Sequence, residues 1–226
     1  MAYTPDMHHR RSIRKADFDY TQAGAYFVTV CTQQRQCILD DPVIAGICCD
    51  VWLALPGWFP TIGLDEFTVM PNHIHFVLWL VVNPADGQGV TSPSGEFLSP
   101  PLAAQIQIYG QTNVAQAQAG DWVIPTPQRT KDRPVLGEVV GAWKSLVVTV
   151  YLDWINRHDP LRRAYFWQRN YYDRIVRNDQ ALLAIRQYIR DNPKQWIDDP
   201  DNPANRPGLP FPETIDDYIH DLWRYT

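Results

Sequence analysis

The chain has 226 residues, of which 45% are apolar, 12% aromatic and 20% charged. This composition suits a compact globular domain and excludes an intrinsically disordered chain, and no apolar run approaches the ~20 residues that span a bilayer. Taken alone, the net charge of −5 argues against a partner as acidic as nucleic acid.

The charges, however, are unevenly distributed along the chain. The segment 196–226 holds seven acidic and two basic residues, whereas residues 1–195 hold 18 of each, so the whole deficit lies in an acidic, proline-rich tail. Residues 155–195 carry a surplus of five positive charges among aromatic side chains. Arginine beside aromatic rings suits a phosphate backbone with stackable bases, and it also occurs where a solvated face borders a core stripe.

The first third of the chain predicts a strand, a helix and a hairpin in that order. Residues 25–32 are a β-branched and aromatic run, which is typical of a buried strand. Asp41 and Pro42 offer a cap and a first-turn proline for a helix over 43–58. Residues 64–81 hold two strand-like runs joined by a short Pro-Asn connection, which predicts a β-hairpin.

A segment of different composition, residues 83–134, interrupts this pattern. It is rich in Gln, Pro, Gly and Ser and almost uncharged before Lys131, so we expect a long insertion or mobile loop. Within it, Gly110, Thr112 and the run 121–124 could form a small hairpin.

The remaining chain predicts a helix over 135–154, short strands near 165–168 and 173–177, and a helix over 179–191 that Asn192-Pro193 would end. Without the insertion, the order of elements is β-α-β-β-α-β-α. This order predicts an α+β protein with a ferredoxin-like, split βαβ antiparallel sheet, helices packed on it and an added C-terminal helix.

The cysteines and the N-terminus indicate the compartment. Cys31, Cys37, Cys48 and Cys49 have no C-x-x-C spacing and three of them fall in apolar runs, so we expect buried thiols rather than zinc ligands or a disulfide framework. The basic N-terminal residues have no apolar stretch behind them, so no secretory signal is expected. Both features favour a reducing cytoplasm.

Two histidines form the most informative motif, in the string MPNHIH over residues 70–75. Because side chains alternate along a strand, His73 and His75 point to one face and Ile74 to the other, so the two imidazoles stand ~7 Å apart and can converge on one ion. Imidazole suits several divalent metals, and an open coordination shell would leave room for a phosphate. The same spacing also arises by coincidence or as a satisfied polar pair.

A second motif lies at the end of the last predicted helix. Tyr188 and Asn192 are four residues apart and so share one helical face, where a phenol oxygen and an amide oxygen could face the same ion. A tyrosine that attacks phosphorus forms a covalent phosphotyrosine, and such a nucleophile needs activation by a metal or a base. The alternative is a core tyrosine followed by a helix stop.

The motifs occur in an order that resembles the REP-associated tyrosine transposases, which are cousins of the single-tyrosine HUH transposases of small insertion sequences. The resemblance covers roughly residues 10–195, outside the insertion, and rests on these strings: YFVTVCTQQR (26–35), MPNHIH (70–75), LGEVVGAWKS (136–145), WQRNYYD (167–173), IVR (175–177) and YIRDNP (188–193).

The resemblance implies a catalytic domain over residues 1–195 with the HUH nuclease fold, acting on hairpin-forming single-stranded DNA with Mg²⁺ or Mn²⁺. His73 and His75 match the HUH metal pair, Tyr188 matches the nucleophile that becomes linked to the 5′ phosphate, and Asn192 matches the polar metal ligand one turn later. A bacterial-type, nucleoid-associated cytoplasmic protein, monomer or homodimer, is the corresponding expectation.

Further residues are expected to contact DNA or to have structural roles, with Tyr171 and Tyr172 as rivals of Tyr188 for the nucleophile. Lys144 could contact a phosphate or extend along the surface as an ordinary lysine. The expected DNA-binding set is Arg10, Arg11, Arg14, Lys144, Trp167, Arg169, Tyr171, Tyr172, Arg174 and Arg177.

Three functions remain open from the sequence. The first is a metal-dependent endonuclease and strand transferase that acts through Tyr188. The second is a hairpin-DNA-binding module or regulator without cleavage activity, and the third is a metallohydrolase that uses the two histidines with water as the nucleophile. The tail 196–226 could fold across the basic face and restrain DNA binding, or pack on the sheet and keep the protein soluble.

Overall fold

The computed structural model describes residues 20, 22–81, 90–91, 97–98, 105–110, 120–127, 130–162, 166–205 and 207. Arg10, Arg11 and Arg14, Thr112 and residues 208–226 of the tail lie outside the described residues. Within the part of the chain that is described, no helix has the length and apolar character that crossing a bilayer requires.

The described elements are seven strands and three α-helices. They are β1 (Gly24–Cys31), α1 (Pro42–Ala54), β2 (Ile62–Val69), β3 (His73–Leu80), β4 (Val90–Thr91), β5 (Phe97–Leu98), β6 (Gln105–Ile108), α2 (Leu136–His158), β7 (Tyr172–Ile175) and α3 (Asp179–Gln195).

The main sheet has the strand order β6-β2-β3-β1-β7. The pairs β2–β3, β3–β1 and β1–β7 are antiparallel, and β6 adds to the edge of β2 in parallel. Strands β1 and β2 are parallel to each other and are separated by β3, so β1, α1 and β2 form a split βαβ unit. The predicted α+β, ferredoxin-like architecture is therefore confirmed. Strands β4 and β5 form a separate two-stranded ribbon.

The helices lie on opposite faces of the sheet. On one face, Ile74 and Phe76 of β3 belong to the large core that contains Trp52 of α1 and Trp143 of α2. On the other face, a smaller core joins Val77 and Trp79 of β3 to Leu182, Ile185 and Ile189 of α3. The alternation of β3 therefore directs His73 and His75 to the side that α3 covers.

Two local predictions of strands are wrong. Residues 121–124 form no strand, because Trp122 instead packs on α1. Its indole N–H donates to Asp50, and its ring lies so close to Gly46 that a Cβ at that position would be 2.8 Å from the ring. The predicted strand at 165–168 is reduced, among its described residues, to a single bridge between Thr32 and Trp167.

Two further details differ from the sequence prediction. Residues 105–108, inside the predicted loop, form β6, because their alternating Gln and Ile pair with the otherwise open edge of β2. Asn192-Pro193 does not end α3, which continues to Gln195. In the last turn a proline removes only one intrahelical hydrogen bond, and the burial of Trp196 directly after the helix favours the continued turn.

Ion pairs attach α3 to the sheet. Asp65, fully buried on β2, accepts two hydrogen bonds from Arg186 at 2.9 and 2.6 Å and a third from the Trp79 indole at 2.7 Å. Glu66 beside it accepts from Arg190, with Nε at 2.8 Å. These contacts fix the position of α3 along the sheet and its rotation about its own axis.

We expect Asp65→Ala to lower the free energy of unfolding by about 3–5 kcal/mol, because it leaves Arg186 and the Trp79 indole without their buried acceptor. Urea denaturation measures this change. Asp153→Ala, which breaks an exposed pair with Arg157, is the matched control and should change the free energy of unfolding far less. Equal losses in the two variants would contradict the role given to the buried pair.

Candidate active site

His73 and His75 lie side by side beneath α3, and both are fully buried. Their ring centroids are 4.5 Å apart, closer than the ~7 Å spacing of alternate positions along a strand, so the two rings converge. The sequence prediction that they share one face is confirmed.

The Asn72 side chain determines which nitrogen of His73 carries the proton. Asn72 Nδ2 donates to the carbonyl oxygens of Arg35 at 3.2 Å and Asp201 at 2.7 Å, so the other atom of the amide, Oδ1, is the acceptor. His73 Nδ1, 2.8 Å from this Oδ1, must therefore be the donor. Nε2 of His73 consequently has its lone pair available, and it is buried without a hydrogen-bond partner.

His75 is oriented in the same way from the neighbouring strand. Its Nδ1 lies 2.8 Å from Thr29 Oγ1, and its Nε2 lies 3.2 Å from the Tyr188 hydroxyl. When the phenol donates to Nε2, Nδ1 carries the proton and donates to Thr29. Both imidazoles thus present Nε2, the basic nitrogen, to one gap between β3 and α3.

Tyr188 and Asn192 close this gap from α3. The Tyr188 ring is partly buried and packs edge-on against His75 and Phe27, with centroids 5.3 and 6.1 Å away. Asn192, one turn later, is buried, its side chain faces His73 and Tyr188, and its Oδ1 has no hydrogen-bond partner. The four residues that the sequence singled out therefore meet within one chain.

Burial determines the charge state of this cluster. It lowers the pKa of His73 and of His75 well below the usual value, and the nearby Arg35 charge lowers both further. Burial also raises the pKa of Tyr188 well above its usual value, with the carboxylates of Asp199 and Asp201 acting in the same direction. The free protein thus holds two neutral imidazoles beside a neutral phenol, which is a poor nucleophile without a cation nearby.

The donor atoms in the gap fit a divalent cation. The described residues contain no group of three or more His, Cys, Asp or Glu side chains that could hold a metal, so the site depends on amide and phenol oxygens beside the two imidazoles. His73 Nε2 and Asn192 Oδ1 are two buried, unpartnered lone pairs that face the gap, an arrangement that a cation would relieve. His73, His75, Asn192 and Tyr188 are the residues that could hold it.

The structure also adds residues that the sequence did not assign. Asn72, Thr29, Arg35 and Asp201 surround the two histidines, although Thr29, Arg35 and Asn72 stand inside the quoted motifs. In the sequence, the one signal for any of these residues was the position of Asn72 directly before the His-x-His pair. Arg35 and Asp201 could not be paired from the sequence, because 166 positions separate them.

The described residues that are expected to contact DNA are Lys144 on α2 and a set within residues 167–177, in and around β7. Lys144 Nζ donates to the carbonyls of Gln168 and Arg169 at 2.6 and 3.2 Å, and Trp167 donates to the Lys144 carbonyl, so this lysine holds the 167–169 segment on α2. Tyr172 is buried in β7, whereas Tyr171 and Arg174 are partly exposed and Arg169 and Arg177 are exposed. Their contact with DNA stays a prediction.

The cysteines behave largely as expected. Cys31, Cys48 and Cys49 are buried, Cys37 is exposed, and all four are free thiols. Burial raises the pKa of Cys31 to about 12, so this residue beside His73 in the sheet is a neutral thiol rather than a thiolate ligand.

Comparison with known proteins gives the following similarities. No protein-family model matches the chain. An uncharacterized protein of Haemophilus influenzae is 27% identical over 206 residues, which are 87% of this chain and 95% of that protein. A REP-associated tyrosine transposase bound to a REP hairpin has a TM-score of 0.46 at 13% identity, over 80% of this chain and 73% of that one. A Deinococcus radiodurans R1 protein described as a candidate transposase has a TM-score of 0.38 at 17% identity, over 79% and 95%.

The first of these solved structures is described as a member of the family that the sequence motifs resemble.

The lowered histidine pKa values predict a stability that falls with acidity. A histidine that stays neutral when folded and takes up a proton when unfolded stabilises the fold fully above the unfolded pKa of about 6.5, and the stabilisation is lost as the pH falls below it. We expect up to about 1.4 kcal/mol per pH unit for each histidine. Urea denaturation from pH 7.5 to 5 should show a shallower dependence in His73→Gln/His75→Gln; an unchanged slope would contradict the buried neutral state.

Proposed function

We propose that the protein is a metal-dependent single-stranded DNA endonuclease and strand transferase that recognises hairpin DNA and cleaves beside it through Tyr188. The observation that carries the proposal is the gap between β3 and α3, where Tyr188 Oη lies 3.2 Å from His75 Nε2 and the unpartnered His73 Nε2 and Asn192 Oδ1 are also found. A nucleophile, two oriented imidazoles and an amide oxygen in one gap are what phosphoryl transfer by tyrosine requires.

Tyr188 is the nucleophile in this proposal. Its Oη forms a bond to phosphorus, the bond from phosphorus to the 3′ oxygen breaks, the phenol proton leaves, and the 3′ oxygen departs as a hydroxyl after taking up a proton. The product is a 5′-phosphotyrosine, which retains the energy of the phosphodiester bond, so a second 3′ hydroxyl can reverse the step on another strand. A bound Mg²⁺ or Mn²⁺ would supply Lewis-acid stabilisation of charge on the phosphate oxygens.

The other residues of the site hold the two imidazoles and α3 in position. Asn72 and Thr29 fix the imidazoles with Nε2 towards the gap, which is the state in which histidine can ligate a metal. Asp65 and Glu66 hold α3, and with it Tyr188 and Asn192, against β3 through Arg186 and Arg190. All of these contacts are made within one chain, so a monomer has a complete site. An enzyme that acts on DNA in this way fits the cytoplasm.

The second candidate function is a hairpin-DNA-binding protein without cleavage. One observation favours it: His73, His75 and Asn192 are buried, so the side chains that would hold the metal are shielded from solvent in this conformation. Protein that binds the hairpin but never forms an adduct would support this alternative, and cleavage without an adduct would favour water as the nucleophile.

A random library tests the nuclease, because it offers many hairpins at once and no hairpin sequence has to be chosen. The full chain is incubated with Mn²⁺ and a pool of single-stranded oligonucleotides with random sequence, and DNA that stays attached after denaturation is recovered and sequenced. We expect enrichment of sequences with a hairpin beside a defined cleavage position. A recovered oligonucleotide then serves as the substrate below.

Tyr188→Phe should abolish the protein–DNA adduct on a denaturing gel, because it removes the attacking oxygen and leaves the ring in place. Tyr171→Phe, a change of the same kind at a partly exposed rival, should retain it. Adduct formation by the Tyr188 variant would assign the nucleophile to another residue.

Asn72→Ala should weaken Mn²⁺ binding about 10–100-fold, because it removes the acceptor that holds His73 in the ligating tautomer. Titration calorimetry with Mn²⁺ alone measures this effect and does not depend on DNA. Asn156→Ala, an exposed asparagine on α2, is the matched control with unchanged affinity. Equal affinities in the two variants would show that the tautomer at His73 does not matter for metal binding.

A further inference from the structure

Arg35 is a buried cation beside the active-site gap, and the proposed chemistry gives its guanidinium no role. Its side chain has 0% exposure, and Nη1 lies 2.6 Å from Asp201 Oδ2. The same carboxylate oxygen is 3.9 Å from His73 Nδ1, so the guanidinium adjoins the histidine pair. A buried charge costs several kcal/mol unless an opposite charge meets it, so this position is built around an anion.

The backbone at Arg35 is held in a conformation that side chains rarely adopt. Gln34 and Arg35 have φ angles of 54° and 52°, two consecutive non-glycine residues in the left-handed region. The turn is kept by bonds around it: Arg35 N donates to Thr32 O at 3.1 Å, and the Arg35 carbonyl accepts from Asn72. Backbone strain of this kind persists where the surrounding contacts hold the conformation in place, and here the strained turn directs the Arg35 guanidinium towards the gap.

The anion comes from a segment outside the ferredoxin-like core. After α3, residues 196–205 contain two short 3₁₀ turns, Trp196–Asp198 and Pro203–Asn205. Trp196 packs near His73, with ring centroids 6.1 Å apart, and Asp201 contributes both its carboxylate to Arg35 and its carbonyl to Asn72. This segment, called the strap below, therefore covers the histidine pair with Trp196 and places the Asp201 carboxylate on Arg35.

A carboxylate and a phosphate are recognised by arginine with the same forked geometry. Asp201 thus has the charge and the hydrogen-bonding pattern of a phosphate oxygen pair, and it stands next to the position where the proposed reaction needs a phosphate. The strap also contributes the two carboxylates, Asp199 and Asp201, whose charge faces the Tyr188 phenol.

We propose that Arg35 binds a DNA phosphate beside the metal site, and that Asp201 occupies this phosphate position in the free protein. The inference rests on the proposed nuclease function for the identity of the phosphate, and it names Arg35 as a substrate-binding residue. DNA then enters by exchange: the strap withdraws Asp201, and a backbone phosphate replaces it on Arg35.

The test uses the full chain and four variants. Asp201→Asn removes the competing charge and keeps the side-chain shape, Arg35→Gln removes the guanidinium, and the double variant removes both. Asp198→Asn is the matched control, because it makes the same charge change at an exposed position of the strap. Circular dichroism first confirms that each variant is folded.

Inorganic phosphate, with chelator and at ionic strength matched by chloride, is the first probe. We expect phosphate to raise the Tm of Asp201→Asn by about 2–4 °C, since a ligand that binds only the folded state stabilises it. The wild type, Asp198→Asn and the double variant should show no such rise. A folded Asp201→Asn that does not respond to phosphate, or a double variant that responds equally, overturns the proposal.

The recovered oligonucleotide with Mn²⁺ is the second probe. Adduct formation should be about tenfold faster in Asp201→Asn than in the wild type, and Arg35→Gln in the same background should remove the gain, since a hydrogen bond to a charged group is lost. A gain that survives Arg35→Gln overturns the role of Arg35. A phosphate response without an adduct in any variant supports Arg35 as a phosphate site and contradicts the nuclease itself.

Discussion

The Asn72 side chain is the interaction on which the rest of the site depends. Its amide group donates to two carbonyls, at Arg35 and Asp201, and this leaves its oxygen as the acceptor for His73. One buried amide therefore sets the histidine tautomer, ties down the strained turn before α1, and attaches the strap to the sheet. Because every bond of this network is shielded from water, a change at one partner is felt by the others.

The two faces of the sheet have different roles, because one holds most of the apolar core and the other carries the candidate active site. The face under α1 and α2 holds the large aromatic core around Trp52, Phe67 and Trp143, whereas the face under α3 holds a smaller core and the polar site. The site can tolerate buried unpartnered atoms because the opposite face supplies the packing. On the α3 side, ion pairs such as Asp65–Arg186 replace part of the apolar contact and fix the helix at one position.

Much of the architecture followed from local patterns. The β-branched run at β1, the Asp41 cap that accepts from Val43 N, and the hairpin around Pro71 were predicted because neighbouring residues decide such features. The errors came from contacts between distant segments: Trp122 packs on α1 instead of forming a hairpin, and residues 105–108 pair with the edge of β2. No pattern within either segment records those partners.

The sequence by itself determined the split βαβ order, the alternation that puts His73 and His75 on one face, and the helical spacing of Tyr188 and Asn192, because each depends on residues close together along the chain. Only the tertiary structure decided that the two pairs face each other, and that Asp201 pairs with Arg35. Those contacts join residues more than a hundred positions apart, where burial and charge act through space and leave no periodicity in the sequence.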